Sequence, residues 1–164
     1  MKSNEVAFTV SDTILPGAQF GDAFQIIVDG QNLTALEAAK RAVYGAPSWI
    51  NRLLQLRNVL VRPLGLSPGK DAAQSNAGPD NIGMFPILAQ EANHVMLGMN
   101  DKHLDFRLLV DVVNEANGRQ IITASTVVKT HNALGRAYLA FVKPFHKVIV
   151  PAMLSRITGF PKLG

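Results

Sequence analysis

The sequence predicts an α+β protein in which a curved antiparallel sheet of about six strands packs on a long, kinked C-terminal helix. In the second half, four segments with apolar residues at alternate positions follow one another, separated by short polar turns such as Asn117-Gly118, a tight-hairpin signal. From Asn132 to Ile157 the apolar residues instead recur every three or four positions, which is typical of an amphipathic helix.

Two strands and two helices are expected before the four-stranded meander. The first helix begins with a capping box, Thr34 with Glu37, and the second is capped by Ser48 and carries an apolar stripe of Trp49, Leu53, Leu56 and Leu60. The expected bounds of these elements are Glu5–Val10, Ala23–Val28, Thr34–Tyr44, and Ser48 to just before Pro63.

The four strands of the meander are predicted at Met84–Glu91, Val95–Asn100, Leu104–Asn114 and Arg119–Thr130. The segment at about 67–81 is rich in Pro, Gly, Ser and Asn and has no apolar periodicity. We expect it to be a mobile loop inside one domain that covers residues 1–164, because neither flank has enough structure to close a core alone.

The terminal helix is expected to begin at Asn132, a favourable N-cap residue, and to be bent by Pro144 and Pro151. The polar residues Arg136, Lys143 and Lys147 are expected on its solvent side, with His146 partly exposed. The stripe predicted to face the sheet consists of Leu134, Tyr138, Phe141, Phe145, Val148, Ile149 and Met153.

The composition is that of a folded protein, with 48% hydrophobic and 17% charged residues. The absence of cysteine excludes disulfides, thiolate catalysis and cysteine-ligated metals. The four histidines form no His-x-His or His-x-x-x-His pair, so no metal site is expected. No cofactor is expected either, and no Rossmann domain is expected within this sequence, since it contains no Gly-x-Gly-x-x-Gly motif.

The basic residues give a net charge of +4 and a pI near 9.6 but are scattered along the chain, which argues against a nucleic-acid partner. No secretion signal is apparent near the N-terminus, so a cytoplasmic location is expected. No membrane span is expected, because the most apolar stretch, Ala137–Ile157, contains Lys143, His146, Lys147 and Arg156.

The order of strand, strand, two helices, four strands and a terminal helix resembles the helix-grip fold of the START and birch-pollen-allergen superfamily. This resemblance implies a cavity between the sheet and the terminal helix.

Several short sequence motifs also resemble those of an uncharacterised bacterial family of unknown function (number 2867). The resemblance covers about Leu15 to Ile157, and it implies no established activity. Members of that family occur alone or behind an NAD(P)-binding Rossmann domain, which implies an oxidoreductase partner. These motifs are Leu56-Arg57-Asn58, Leu60-Val61-Arg62-Pro63, His103-Leu104-Asp105-Phe106-Arg107, Thr130-His131-Asn132, Gly135-Arg136-x-Tyr138 and Pro144-Phe145-His146.

His103, Asp105 and Arg107 alternate along one predicted strand, so their side chains are expected on one face. If that face meets the cavity, Asp105 can orient an imidazole as a base or bind a polar ligand group. If it meets solvent, the three residues form a surface ladder, an arrangement favoured by the rarity of buried charges. The family resemblance favours the cavity.

His131, with His103 and Asp105, completes the candidate catalytic residues, although His131 can also simply fill a turn and Asn132 cap the helix. Tyr138 is expected on the apolar stripe with its hydroxyl on a polar partner, and Arg136 can pair with an acid. The candidate ligand-binding residues are Arg107, Asn132, Arg136, Tyr138 and Phe141.

Three functions are compatible with this sequence. The first is a module that binds a small apolar or amphipathic molecule between sheet and helix. The second is a cofactor-free enzyme of cyclase, isomerase or hydrolase type that uses His103 or His131 as general acid or base. The third is an interaction domain for a reductase-like partner or for a second copy of the chain.

Overall fold

The structure, a computed structural model, describes residues 3–64 and 80–159. Its strands are β1 Asn4–Val6, β2 Phe20–Asp29, β3 Asn81–Ile82, β4 Phe85–Gln90, β5 His94–Asn100, β6 Leu104–Asn114 and β7 Arg119–Thr130. Its helices are α1 Ala35–Tyr44, α2 Ser48–Val61 and α3 Ala133–Leu154. The α+β class and the order of elements expected from the sequence are confirmed, and β6 and β7 have the predicted bounds.

The strands form one antiparallel sheet of seven, in the order β1-β2-β7-β6-β5-β4-β3. Strands β4 to β7 are the predicted meander, and β2 pairs along its whole length with β7. The additional strand is β3, two residues long, which pairs with β4. Of the loop expected at about 67–81, only Asp80 and Asn81 belong to the described residues, and Asn81 is already part of β3.

The first strand is shorter than predicted, because the chain leaves the sheet after Val6. Phe8 and Val10 instead pack on one face of the sheet, beside Leu15, Leu109 and Val127. Gly21 makes this possible, since a Cβ there would lie 2.6 Å from the Phe8 ring. We call this face the outer face of the sheet.

The opposite, inner face carries the main core. Ile26, Val28, Leu97 and Ile122 of the sheet are fully buried there against helix α1 and the end of α3. Four alanines of α1, Ala35, Ala38, Ala39 and Ala42, allow this helix to approach the sheet closely.

Helix α1 is fixed at its start by the expected capping box. The Thr34 hydroxyl accepts the Glu37 amide, and the Thr34 amide donates to the Glu37 carboxylate at 2.8 Å. That amide donor is the main reason why the pKa of Glu37 lies below its usual value. Arg41, on the buried side of α1, donates to the backbone carbonyl of Ile157 and thereby ties α1 to the segment that follows α3.

Helix α3 passes through Pro144 and Pro151 without interruption and lies against β2 and β7. The apolar stripe predicted for it was wrong in part. Phe141, Phe145 and Val148 are 60%, 42% and 58% exposed and point away from the sheet. The helix carries apolar residues on two sides, and periodicity alone does not say which side meets the sheet. Arg136, Lys143 and Lys147 are exposed, as expected.

The stripe predicted for helix α2 also differs from the structure. Trp49 and Leu56 are exposed, whereas Ile50, outside the stripe, is fully buried. The side chain of Leu60 lies outside the described residues.

By length and composition alone, the segment Ala133–Gly159 qualifies to cross a bilayer. This is weak evidence for a span, because core helices of soluble proteins can have the same length and composition.

The buried side chain of Gln120 joins the start of β7 to Leu33, two residues before α1. It accepts the Leu33 amide at 2.8 Å and donates to the Leu33 carbonyl at 3.0 Å and to Asn114 at 2.7 Å. The amide side chain therefore completes the hydrogen bonds of a buried backbone segment that no strand partner satisfies.

We expect Gln120→Leu to lower the free energy of unfolding by about 2 to 4 kcal/mol, because both polar groups of the Leu33 backbone lose their partner. The measurement is denaturant unfolding followed by circular dichroism. Gln25→Leu is the matched control, since among the described residues the half-buried Gln25 side chain bonds only a threonine hydroxyl. Equal losses in the two variants would contradict the role assigned to Gln120.

Candidate functional site

A cavity of about 540 Å³ lies between the inner face of the sheet and helices α1 and α3. Its lining is largely apolar and includes Phe20, Phe85, Phe106, Met84, Met99 and Met153. Strand periodicity explains which residues reach it: Leu104, Phe106 and Leu108 of β6 line the cavity, so Asp105 and Arg107 point to the outer face.

A polar group in this site joins the sheet to the middle of α3. The Nδ1 atom of His146 lies 2.8 Å from Oδ2 of Asp22, and its Nε2 atom lies 3.3 Å from the Thr126 hydroxyl. Asp22 and Thr126 are directly opposite each other on β2 and β7. The imidazole of His146 therefore sits over a cross-strand pair.

The carboxylate of Asp22 is almost completely withdrawn from solvent, with the residue 7% exposed. Its Oδ1 atom has no hydrogen-bond partner within residues 3–64 and 80–159. An ionised carboxylate only accepts hydrogen bonds, so the proton of the His146 ring lies on Nδ1. In the neutral ring, Nε2 then presents a lone pair toward Thr126, and both residues line the cavity.

A cation lies at another part of the lining. The Lys143 ammonium group is 4.6 Å from the centre of the Phe20 ring, a cation–π arrangement. Lys143 is an exposed residue that also lines the cavity, so its charge lies where the cavity meets solvent.

Four of the residues singled out from the sequence meet in a second cluster, at the N-terminal end of α3. His131 Nε2 lies 3.0 Å from Asp105 Oδ1, and the side chains of Asn132 and His103 meet at 2.9 Å. Asn132 also accepts the amide of Gly135, so it caps the helix. None of these four residues lines the cavity.

Gly135 explains why this cluster is so compact. A Cβ atom at this position would overlap the backbone carbonyl oxygen of His103, which itself accepts the amide of His131. The first turn of α3 therefore packs directly on the backbone that leads into β6. The sequence motifs that contain His103 and His131 thus meet where the helix is attached to the sheet.

The remaining sequence candidates are dispersed. Arg107 donates to Asn100 and to the carbonyl of Phe106, at 2.8 Å each, on the outer face. Arg136 and Phe141 are exposed and lie outside the cavity lining, whereas Tyr138 belongs to it. His103 precedes β6 and does not continue the expected ladder of Asp105 and Arg107, whose face is turned away from the cavity.

Asp22, Thr126 and His146 were missed by the sequence reasoning, although Asp22 and His146 each had a signal. Asp22 occupies an inward position in the alternation of Phe20, Phe24 and Ile26, where a carboxylate is out of place. His146 follows Gly135 by about three helical turns, which places both on one side of α3.

Within the described residues, no group of three His, Asp or Glu side chains is arranged to hold a metal ion.

Comparison with known proteins gives one family and distant structural similarities. A family model described as "Protein of unknown function (DUF2867)" matches residues 14–153. No curated protein shows significant similarity.

Two solved structures illustrate how distant those similarities are. A conserved protein from Geobacillus kaustophilus is 10% identical, with 85% of this chain and 92% of that chain covered and a TM-score of 0.39. The structure of Ara h 8.0201 is 14% identical, with 86% and 100% covered and a TM-score of 0.34. Both TM-scores are low, so the fold of this chain is defined by its own strand order and helices.

We expect Gly135→Ala to lower the free energy of unfolding by about 3 kcal/mol, because the added methyl group forces α3 away from the His103 carbonyl. Denaturant midpoints measure the loss. The control is Gly159→Ala, where a Cβ meets no atom within 4 Å, and we expect its midpoint to be unchanged. A Gly135→Ala variant with an unchanged denaturant midpoint would show that the helix is not fixed by this contact.

Proposed function

The chain belongs to the family of proteins of unknown function whose model matches residues 14–153, and we propose that it binds a small, largely apolar molecule in the cavity beneath α3. The observation that carries this proposal is the cavity itself, about 540 Å³ with a largely apolar lining. Sites for small molecules are commonly concave, apolar and of about 300 to 1,000 Å³, with a few polar groups that orient the ligand.

The driving force for this binding is removal of apolar surface from water, worth about 25 cal/mol per Å². Flexible methionines and aromatic rings in the lining, such as Met84, Met99 and Phe106, suit ligands of varied outline. Tyr138 supports the proposal as a lining residue that sequence reasoning had already assigned to ligand binding.

The hypothesis of an enzyme built on His103, Asp105 and His131 finds less support. His131 and Asp105 are within hydrogen-bonding distance, but on residues that do not line the cavity. Asn132 contacts His103 and accepts the Gly135 amide, which favours a structural role for this cluster at the start of α3.

An uncharged fluorescent probe, N-phenyl-1-naphthylamine, tests the proposed function. We expect it to bind the protein with enhanced emission and Val142→Trp to weaken that binding at least tenfold, because the indole fills space beneath α3. Fluorescence titration gives the dissociation constants. Val148→Trp is the matched control on the outward side of the same helix, and its affinity should equal that of the unmodified protein.

Failure of the unmodified protein to bind the probe, or equal loss in the two tryptophan variants, would overturn the proposal. Circular dichroism establishes that each variant is folded. Should Val142→Trp not fold, Leu139→Phe, also in the lining, fills part of the same space with a smaller change of volume.

A further inference from the structure

We propose that His146, oriented by Asp22, recognises a hydroxyl group, so that the cavity selects phenols and other hydroxylated hydrophobic molecules. This inference rests on the proposed function, since it names the chemical class of the ligand for the same cavity.

A buried carboxylate is costly. Its transfer from water to an apolar interior is offset only by good partners, and replacement of buried ion pairs by apolar residues often leaves stability equal or higher. Asp22 is 7% exposed between Phe20 and Phe24, and one of its two oxygens lacks a partner among the described residues. Helix packing alone would be served better by an apolar residue, so the carboxylate has another use.

That use is control of the imidazole. The carboxylate accepts Nδ1–H of His146 at 2.8 Å, which fixes both the ring orientation and its tautomer. Phe24 packs edge-on against the same ring, with the centroids 6.4 Å apart. The Nε2 lone pair is therefore held in one direction, toward the cavity wall formed by Thr126.

The remaining contact of the ring is long, so a ligand hydroxyl beside it can compete for Nε2. Nε2 lies 3.3 Å from the Thr126 hydroxyl, longer than a good hydrogen bond. A ligand hydroxyl can donate to Nε2 and at the same time accept from Thr126, because a hydroxyl is both donor and acceptor. An ether or a carbonyl has no hydrogen to give to Nε2, and a carboxylate ligand meets the negative charge of Asp22.

Other His–Asp pairs among the described residues lack this setting. His94 with Asp111, at 2.6 Å, and His131 with Asp105, at 3.0 Å, do not belong to the cavity lining. Their carboxylates are also more exposed, at 42% and 15% of the side chain against 7% for Asp22. The pair formed by Asp22 and His146 is thus set apart by both its burial and its place in the cavity.

The test compares 2-naphthol with 2-methylnaphthalene, two uncharged probes of nearly the same shape. For each protein, calorimetric or fluorescence titration gives the ratio of the methylnaphthalene dissociation constant to that of naphthol. We expect His146→Leu to lower this ratio about tenfold, the effect of one lost hydrogen bond, and His94→Leu to leave it unchanged. The two variants make the same substitution in a His–Asp pair, inside and outside the cavity.

The outcomes separate this inference from the proposed function. If neither probe binds the unmodified protein, the cavity does not take apolar ligands and both ideas fail. If both bind but the ratio is the same in His146→Leu, only hydroxyl recognition is overturned. A third probe, 2-naphthoic acid, overturns it as well if its affinity exceeds that of naphthol and falls more in His146→Leu, since His146 would then select an acid and not a hydroxyl group.

A spectroscopic measurement covers the case in which His146→Leu does not fold. In the ¹⁵N-labelled unmodified protein, 2-naphthol should shift the Nε2 resonance of His146, whereas 2-methylnaphthalene should not. Equal shifts with both probes, or none with either while both bind, would overturn the inference.

Discussion

The close approach of Gly135 to the His103 carbonyl is the constraint on which the rest of this structure depends. With no side chain at that position, the first turn of α3 rests directly on the backbone that enters β6. Because an α-helix has 3.6 residues per turn, His146 then returns to the sheet side about three turns later. The contact between two backbones therefore decides which side chain meets Asp22 and Thr126.

The far end of the helix is fixed by different means. Val150, Leu154 and Ile157 are buried in the main core, and the guanidinium group of Arg41 holds the Ile157 carbonyl. Between these two attachments few side chains of α3 are buried, and the cavity lies beneath that middle part. The Asp22–His146 contact is then a polar link between sheet and helix within an otherwise apolar space.

Local signals in the sequence were sufficient for much of the fold. The alternation of apolar residues gave the bounds of β6 and β7, and the Thr34 and Glu37 pair marked the start of α1, because each signal involves neighbours in the chain. The site depended on distant contacts. Asp22 was left outside the predicted strand that began at Ala23, since only pairing with β7 extends β2 back to Phe20. Likewise, Phe141 and Phe145 looked like core residues until Gly135 fixed the rotation of α3.

Pro144 has a mechanical consequence for the cavity. It lies in the middle part of α3 and lacks the amide hydrogen of an ordinary helical residue, so the helix is missing one internal bond there. A helix that is fixed at both ends and lacks one hydrogen bond near its middle bends at that point more easily than it tilts as a whole. The thickness of the space below can therefore change while both attachments of the helix stay in place.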